Sequence, residues 1–487
     1  MSDSLYDVII IGAGLAGLVS GATLAKEGVK VLVLEQHHTV GGCATNFKRK
    51  QYEFEVGLHE MDGLGNENDP KHELFENLEV QKHVIFKRVP EFYRVKWNNI
   101  DFIMPDDIEE AIQKLQKTFP KEERNIEDFF AEMRQIRSFK TKSLFNRRKA
   151  TLGEVLDQYF TSEELKIIIC SNLAYYHDNP YELSFNYFSI AQLSYLEGGG
   201  WYIAGGSLKL SKYLADYIEK HGGKIVLKHE VTEILLDNKQ RKVKGVKYIR
   251  TKRNDPPIES AFANIIIANT AVTNLAENLI PSLQNSSYTK QVADQDLPCS
   301  LLSIYIAFES HDFENTNYST FIFDESLKKL QDFSEIERTG NYNQKGFVFV
   351  DYSIVGEPLT GTICAVDYIK NWEGMTKGEY KEKKKKVMQL FIDRLEKQFP
   401  GIKKSIAYAE MATPRTITRY TKNPQGVVYG FTQTPAMLGK RRLEIATPPI
   451  ENLYIASAWG STGGGYSGAM LAGYKTANML LKKKLRK

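Results

Sequence analysis

The sequence predicts an α/β fold, with a nucleotide-binding domain assembled from separate parts of the chain and a second, mixed α+β domain. Three observations predict it, namely the glycine-rich turns at residues 12–17, 205–206 and 463–465. A run of apolar residues precedes the first and last turns, and a stretch with helical periodicity follows all three. Strands and helices that alternate in this way build a parallel sheet with helices on its faces.

The first turn carries the pattern of a dinucleotide-binding βαβ unit. Residues 7–11 predict a buried parallel strand, residues 18–26 a helix and residues 29–35 a second strand. The first glycine of such a turn allows the tight bend, the second lets the backbone approach a pyrophosphate, and the third lets the helix pack closely on the strand. The helix amino terminus stabilises the phosphate charge. This unit predicts a Rossmann-like domain with cofactor contacts at Gly12, Gly14, Leu15, Ala16 and Gly17.

Two further features decide between NAD and FAD, because the βαβ unit serves both. Glu35 closes the second strand, where its carboxylate can accept both ribose hydroxyls. The doublet Gly41-Gly42 that follows is typical of FAD proteins of the glutathione-reductase type. NAD would also leave the carboxy-terminal glycine turn unexplained, whereas a flavin needs a second site. We therefore predict FAD, with Gln36 and Cys43 as neighbouring contacts.

The other two glycine turns predict the rest of the cofactor site. Residues 452–468 predict a strand, a glycine loop and a helix, with contacts at Gly463, Gly464, Gly465 and Ser467. The middle turn precedes an amphipathic helix at residues 208–221 and then strands that place Val231 near the adenine. The alternative for this middle segment is plain α/β sheet without a cofactor role. The predicted FAD-binding domain therefore comprises residues 1–85, 200–284 and 411–487.

Residues 86–199 and 285–410 carry no nucleotide motif and predict a separate substrate-binding domain. Residues 173–177 and 185–195 place many aromatic side chains on predicted helices. They form either a hydrophobic tunnel for a long apolar substrate or ordinary core packing. Since no second dinucleotide motif exists, we expect no separate nicotinamide domain. Electrons then pass through the flavin's own site, a quinone or a free reductant.

Composition excludes several classes of protein. A net charge of +4 over 487 residues, without a basic stripe, argues against nucleic-acid binding. The four scattered cysteines fit neither a metal site nor a disulfide framework, so we expect no metal and a cytoplasmic location. The basic tail at residues 480–487 is interpreted as a solvated helix end, with a peripheral contact to anionic lipid as the alternative. The oligomeric state is left open.

Taken together, these residues resemble the phytoene desaturase, carotenoid isomerase and retinol saturase superfamily, and most closely its retinol saturase and carotenoid isomerase branch. The resemblance covers nearly the whole chain. Segments that carry it beyond the nucleotide motifs are 52–59, 115–122, 315–318, 413–416 and 426–430. Ser457, Ala458 and Thr462 depart from the family's carboxy-terminal motif, and Glu55 stands where Asp is more common.

The resemblance implies an oxidoreductase that acts on a carbon–carbon double bond of a hydrophobic polyene or isoprenoid, as a saturase or as a reduced-flavin isomerase. The alternatives are a desaturase, a flavin amine oxidase and a flavin-binding protein without turnover. The chemistry needs a proton source or sink beside the flavin. His59 is the first candidate, and Glu60 and Tyr429 follow. A purely structural hydrogen-bonded role for His59 stays open.

Overall fold

The computed structural model describes residues 6–138, 141–251, 254–313 and 316–484. Its strands are β1 (Val8–Ile11), β2 (Val31–Glu35), β3 (Asn46–Arg49), β4 (Tyr52–Glu55), β5 (Met61–Asp62), β6 (Phe86–Arg88), β7 (Tyr93–Trp97), β8 (Ile100–Met104), β9 (Gly200–Ile203), β10 (Lys224–Leu227), β11 (His229–Leu236), β12 (Val243–Arg250), β13 (Glu259–Phe262), β14 (Ile265–Ala268), β15 (Ser300–Phe308), β16 (Ser319–Ile322), β17 (Phe347–Asp351), β18 (Thr360–Asp367), β19 (Ile406–Ala412) and β20 (Leu453–Ile455).

Its α-helices are α1 (Leu15–Lys26), α2 (Pro70–Asn77), α3 (Val80–His83), α4 (Ile108–Thr118), α5 (Glu123–Arg137), α6 (Thr141–Asn146), α7 (Leu152–Tyr159), α8 (Glu163–Ile169), α9 (Phe185–Gly198), α10 (Leu208–Lys220), α11 (Val272–Asn274), α12 (Ser287–Ala293), α13 (Asp332–Glu337), α14 (Lys377–Gln398), α15 (Pro414–Thr421), α16 (Lys440–Ala446) and α17 (Gly465–Lys484). Short 3₁₀ turns connect several of them.

A five-stranded parallel sheet has the order β10-β2-β1-β14-β20. Its strands come from the beginning, the middle and the end of the chain. The side chains of β1 and β2 are buried on both faces, because α1 covers one face and the three-stranded sheet β11-β12-β13 packs on the other. The carboxyl ends of β1 and β20 lead into the first and last glycine turns, so the topology brings these distant segments to one edge of the sheet.

A seven-stranded sheet has the order β19-β15-β18-β17-β16-β7-β8 and is antiparallel except where β16 pairs with β7. Its strands come from residues 93–104, 300–367 and 406–412. The domain limits given above stay a prediction; β19 runs across the predicted limit at residue 411 and pairs with β15. Two further sheets have three strands each, in the orders β11-β12-β13 and β5-β9-β6, and β3 pairs with β4.

Helix α1 packs between α10 and α17, and small residues allow the close approach. A Cβ at Gly21 would lie 2.8 Å from the Ile218 side chain of α10. A Cβ at Gly473 of α17 would lie 2.3 Å from the carbonyl oxygen of Ala16. The hydroxyl of Ser20 donates to the carbonyl of Gly473 at 3.2 Å. The carboxy-terminal helix is thus fixed directly against the amino-terminal βαβ unit.

Three local details differ from the sequence prediction. The first helix begins at Leu15 rather than at residue 18, so it starts directly after Gly14. The apolar run at residues 224–234 forms two strands, because Lys228 adopts a left-handed conformation (φ +61°) and β11 leaves the parallel sheet. Residues 173–175 form only a 3₁₀ turn. Asn315, in the segment 315–318 that carries part of the family resemblance, and residues 485–487 of the basic tail lie outside the described residues.

Candidate active site

A single cavity of about 2500 Å³ connects the glycine turns with the seven-stranded sheet. All of the predicted cofactor and catalytic residues line it except Gly17 and Gly463. Drug-sized ligands typically occupy about 300–1000 Å³. The cavity therefore has room for a dinucleotide and a second ligand side by side.

The first glycine turn owes its shape to close backbone contacts. Gly12 has φ +93°, which favours glycine, and a Cβ at Gly17 would lie 2.2 Å from the carbonyl oxygen of Gly12. Gly14 precedes α1 and has no side chain that could cap the helix. Gly14 and Leu15 both line the cavity, so the helix amino terminus faces it. Asn269, after β14, donates from Nδ2 to the Gly12 carbonyl at 3.2 Å. This turn presents backbone N–H groups where a pyrophosphate would bind.

Glu35 lies at the end of β2 and is nearly buried, with 6% of the residue exposed. Its Oε2 accepts a hydrogen bond from the Ala13 N–H, and its Oε1 accepts one from the His37 N–H, both at 2.8 Å. The carboxylate therefore also holds the glycine turn against β2. Its ribose contact stays a prediction, although both oxygens keep a further lone pair.

The Gly41-Gly42 doublet packs on the first glycine turn. The Gly41 N–H donates to the Ala13 carbonyl at 2.8 Å, and a Cβ at Gly42 would lie 3.4 Å from the Cα of Gly14. Both glycines have positive φ angles, of +110° and +62°. The next residue, Cys43, is accessible from the cavity although it lies deep in the molecule, and burial raises the pKa of its thiol.

The amino terminus of α17 supplies another wall of the cavity. Gly464 passes the backbone of Tyr429, where a Cβ would lie 2.5 Å from the Tyr429 Cα. The hydroxyl of Ser467 donates to Oδ1 of Asp62. Burial alone would raise the pKa of the Asp62 carboxyl, but Lys71 at 2.9 Å and the hydroxyls of Ser194 and Ser467 lower it to about 2. This ionised carboxylate ties α17 to β5.

The segment of residues 56–59, between β4 and β5, lines the cavity and contains the first catalytic candidate. Three tyrosine hydroxyls donate to its backbone carbonyls: Tyr305 to Val56 at 3.0 Å, Tyr352 to Leu58 at 3.0 Å, and Tyr318 to His59. All three tyrosines are buried. The seven-stranded sheet and the turn that follows β17 therefore fix this segment.

Glu55 precedes this segment and anchors it from the other side. Its carboxylate accepts hydrogen bonds from the backbone N–H groups of Gly57 and Leu58, both at 3.0 Å. It also accepts bonds from the N–H and hydroxyl of Ser207, both at 2.7 Å. Burial raises the pKa of Glu55, and these donors oppose that rise.

Replacing Glu55 with glutamine is expected to lower the free energy of unfolding by about 2 kcal/mol, because the amide NH₂ would face a buried N–H donor. Glu53→Gln on the same strand is the control. Among the described residues Glu53 forms a salt bridge only with the exposed Lys48, at 3.2 Å, so its loss should change stability by less than about 0.5 kcal/mol. Chemical denaturation measures both. Equal stability of the two variants would contradict the anchoring role.

His59 and Tyr175 form a hydrogen-bonded pair at the cavity wall, with 2.9 Å between Nδ1 and the hydroxyl oxygen. Burial lowers the pKa of His59 to about 4, so its imidazole is neutral at neutral pH. Glu60 is buried, and burial together with Glu91, Asp106 and Asp62 raises its pKa well above the usual value. Among the described residues, its Oε2 has no hydrogen-bond partner.

The structure adds wall residues that the sequence motifs did not reveal. They are Asn269, which follows β14, and Asp62, Lys71 and Ser194. Only Asn269 had a usable signal, since polar residues at the carboxyl end of a parallel strand often contact the ligand. The others come from elements remote in sequence, and their convergence depends on packing.

The family described as flavin containing amine oxidoreductase matches residues 15–481 of the chain. This range includes both the amino-terminal helix and the carboxy-terminal one. The chain belongs to this family. It is accordingly a flavin-dependent oxidoreductase.

Relatives within the family have two kinds of activity in their names. An all-trans-retinol 13,14-reductase of Danio rerio is 25% identical, over 92% of this chain and 82% of its own length. A chloroplastic prolycopene isomerase of Arabidopsis thaliana is 27% identical, over 99% of this chain and 85% of its own. The predicted resemblance to the retinol saturase and carotenoid isomerase branch is confirmed.

Solved structures confirm the predicted fold class. Cyclohexylamine oxidase from Brevibacterium oxydans aligns with a TM-score of 0.63 at 16% identity, over 99% of this chain and all of that chain. A redesigned putrescine oxidase aligns with a TM-score of 0.67 at 13% identity, over 98% and 99% of the two chains. At such identities the likeness concerns the fold alone.

Membrane-spanning helices and metal-binding clusters are both absent from the described part of the chain. No helix there is both long and apolar enough to cross a membrane. No group of three or more His, Cys, Asp or Glu side chains within the same ranges is placed to hold a metal ion.

Proposed function

We propose that this flavoenzyme binds FAD and reduces, or isomerises through reduced flavin, a carbon–carbon double bond in a hydrophobic conjugated polyene or isoprenoid. The observation that carries the proposal is the continuity of the cavity, whose glycine-lined part opens directly onto an apolar and aromatic wall. The names of the retinol reductase and prolycopene isomerase relatives support the same class of substrate.

The residues present fit FAD in particular. Gly12, Gly14 and the amino terminus of α1 form a pyrophosphate site, and Glu35 lies at the end of β2 where a ribose would bind. A Cβ added at Gly465 would meet no atom within 4 Å, so this turn borders open space in the cavity. Two such sites, one at each end of the chain, suit a ligand as long as FAD.

The far wall of the cavity fits an apolar ligand. Leu301 and Val348 reach it from the seven-stranded sheet, and Tyr187, Ile190 and Ala191 reach it from α9. Such a surface binds a polyene mainly by removing apolar area from water. For the aromatic side chains of residues 173–195, the sequence left open whether they line a tunnel or pack in the core. Several of them line the cavity, whereas Phe185 and Phe188 are fully buried in the core.

Reduction of a double bond needs a hydride and a proton, and the flavin supplies the hydride equivalent when bound. Burial raises the pKa of Glu60 well above its usual value, so its carboxyl keeps its proton to higher pH than an exposed glutamate does. His59 is uncharged at neutral pH and can accept from or donate to Tyr175. We propose that Glu60 holds the proton that the reaction uses and that His59 is the side chain nearest the reacting carbon. The surrounding apolar wall excludes water.

Desaturation is the reverse reaction in the same site and is the second candidate. Oxidation of an amine is a further candidate, favoured by Tyr429 and Tyr466, two aromatic residues that line the cavity near Gly464. The three reactions predict different products from the same preparation.

An anaerobic experiment separates these reactions. The bound flavin is photoreduced, candidate polyenes are added, and the flavin spectrum and product mass are followed. A gain of two hydrogens identifies a saturase, and unchanged mass with a shifted polyene spectrum identifies an isomerase. Reduction of oxidised flavin by a saturated precursor identifies a desaturase, and reduction by an amine identifies an amine oxidase. Reaction with amines alone would overturn the proposal.

A further inference from the structure

The segment of residues 141–149, which contains α6, is basic and partly apolar. Its sequence holds four cations, Lys142, Arg147, Arg148 and Lys149, and no acidic residue. Arg147 forms a salt bridge with Glu132 at 2.7 Å. Among the described residues, none of the salt bridges involves the other three cations, and all three are exposed. The segment therefore presents positive charge to the solvent. We call it the basic segment.

Phe145 lies in the middle of the basic segment with 62% of its surface exposed. The guanidinium of Arg148 lies 3.8 Å from the centre of its ring. A single exposed phenylalanine is common on protein surfaces. One that is flanked by several exposed cations has the composition of segments that bind at the interface of an anionic bilayer.

The basic segment also forms part of the cavity wall. Leu144, directly before Phe145, lines the cavity, and its carbonyl accepts a hydrogen bond from Nδ2 of Asn186 on α9 at 3.0 Å. Ile190 and Ala191, one turn further along α9, line the same region. At α6 the wall between the cavity and the surface is therefore only one helix thick.

We propose that the basic segment docks on anionic lipid bilayers, with Phe145 inserted among the headgroups and Lys142, Arg148 and Lys149 facing the lipid phosphates or carboxylates. The occupant is a lipid surface because four cations and an exposed phenylalanine lie within nine residues that carry no acidic group, and because an apolar ligand of the cavity would dissolve in that bilayer. The proposal places the membrane contact at α6 rather than at the carboxy-terminal tail. Its argument from an apolar ligand rests on the proposed function, but not on which of the polyene reactions the enzyme catalyses.

Flotation of the full-length protein with vesicles tests this proposal. Vesicles of phosphatidylcholine alone are compared with vesicles that also contain phosphatidylserine. The wild type is expected to float only with the anionic vesicles. The double substitution Arg148→Gln and Lys149→Gln should weaken partitioning by about fivefold for each cation removed. Phe145→Ser should weaken it by about tenfold.

Two controls make the result specific. Ile258→Ser removes an apolar side chain that is 69% exposed directly before β13, and it should partition like the wild type. A chain truncated after Leu481 lacks the basic tail and should also float like the wild type. Thermal unfolding and flavin content confirm that each variant is folded. Failure of the wild type to float, or equal flotation of the basic-segment variants, would overturn the proposal, as would loss of flotation in the truncated chain alone.

Discussion

The variant Gly17→Ala is expected to bind flavin about a hundredfold more weakly than the wild type and to lose much of its flavin on purification. A Cβ at this position would lie 2.2 Å from the carbonyl oxygen of Gly12, a backbone atom that cannot move without reshaping the turn. Overpacking of this kind typically costs about 1–3 kcal/mol. Because the strain falls on the turn that faces the cavity, we expect the loss to appear mainly in cofactor affinity, measured by flavin fluorescence titration of the apoprotein.

The matched control is Gly21→Ala, one turn further along α1. A Cβ there would lie 2.8 Å from Cδ1 of Ile218, the flexible end of a side chain that can shift. Both substitutions put alanine in the same helix, so helix propensity changes equally. Gly21→Ala should retain its flavin. Stoichiometric flavin in Gly17→Ala as well would contradict the close-packing account of this turn.

The variant His59→Phe is expected to keep its flavin and to lose turnover by about a hundredfold to ten-thousandfold, the usual contribution of a general acid or base. The measured quantity is the rate at which the enzyme with photoreduced flavin converts a reactive polyene to product. Tyr175→Phe removes only the hydroxyl that contacts His59 Nδ1, so its loss should be smaller. Wild-type turnover in His59→Phe would leave His59 with a structural role.

The pH dependence of this rate separates His59 from Glu60. Since burial lowers the pKa of His59 to about 4, the rate should show no step near pH 6.5, the ordinary histidine pKa. Burial raises the pKa of Glu60 well above its usual value, so the carboxyl keeps its proton to higher pH than an exposed one, and the rate should fall as the pH rises through that pKa. Glu60→Gln should remove this alkaline fall. A fall that persists in Glu60→Gln would assign it to another group.

The sequence predicted those parts of the fold and site that rest on local pattern. The strand, turn and helix around Gly12 follow from β-branched residues, glycine spacing and helical periodicity, and the order of the segments implied a discontinuous domain. The break at Lys228 was not predictable, because a lysine with positive φ carries no sequence signal. The helix start at Leu15 was missed for a related reason, since glycines within the motif obscure helical periodicity.

The candidate site shows the same division. The glycines and Glu35 were found from spacing, and family membership supports the flavin that they predict. Asp62, Lys71 and Ser194 were not found, because their ion pair and hydrogen bonds join β5, α2 and α9 only in the folded chain. Residue spacing in the sequence does not predict whether His59 contacts the substrate, because that contact depends on the folded geometry. The His59 and Tyr175 variants test this contact directly.

The three tyrosine hydroxyls that donate to residues 56–59 bind carbonyl oxygens, which every amino acid possesses. The position of this segment therefore does not depend on which side chains it carries. Related enzymes could exchange the residue at position 59 during divergence and acquire a new proton chemistry while the backbone stays in place. A scaffold held in this way separates the evolution of reactivity from the maintenance of structure.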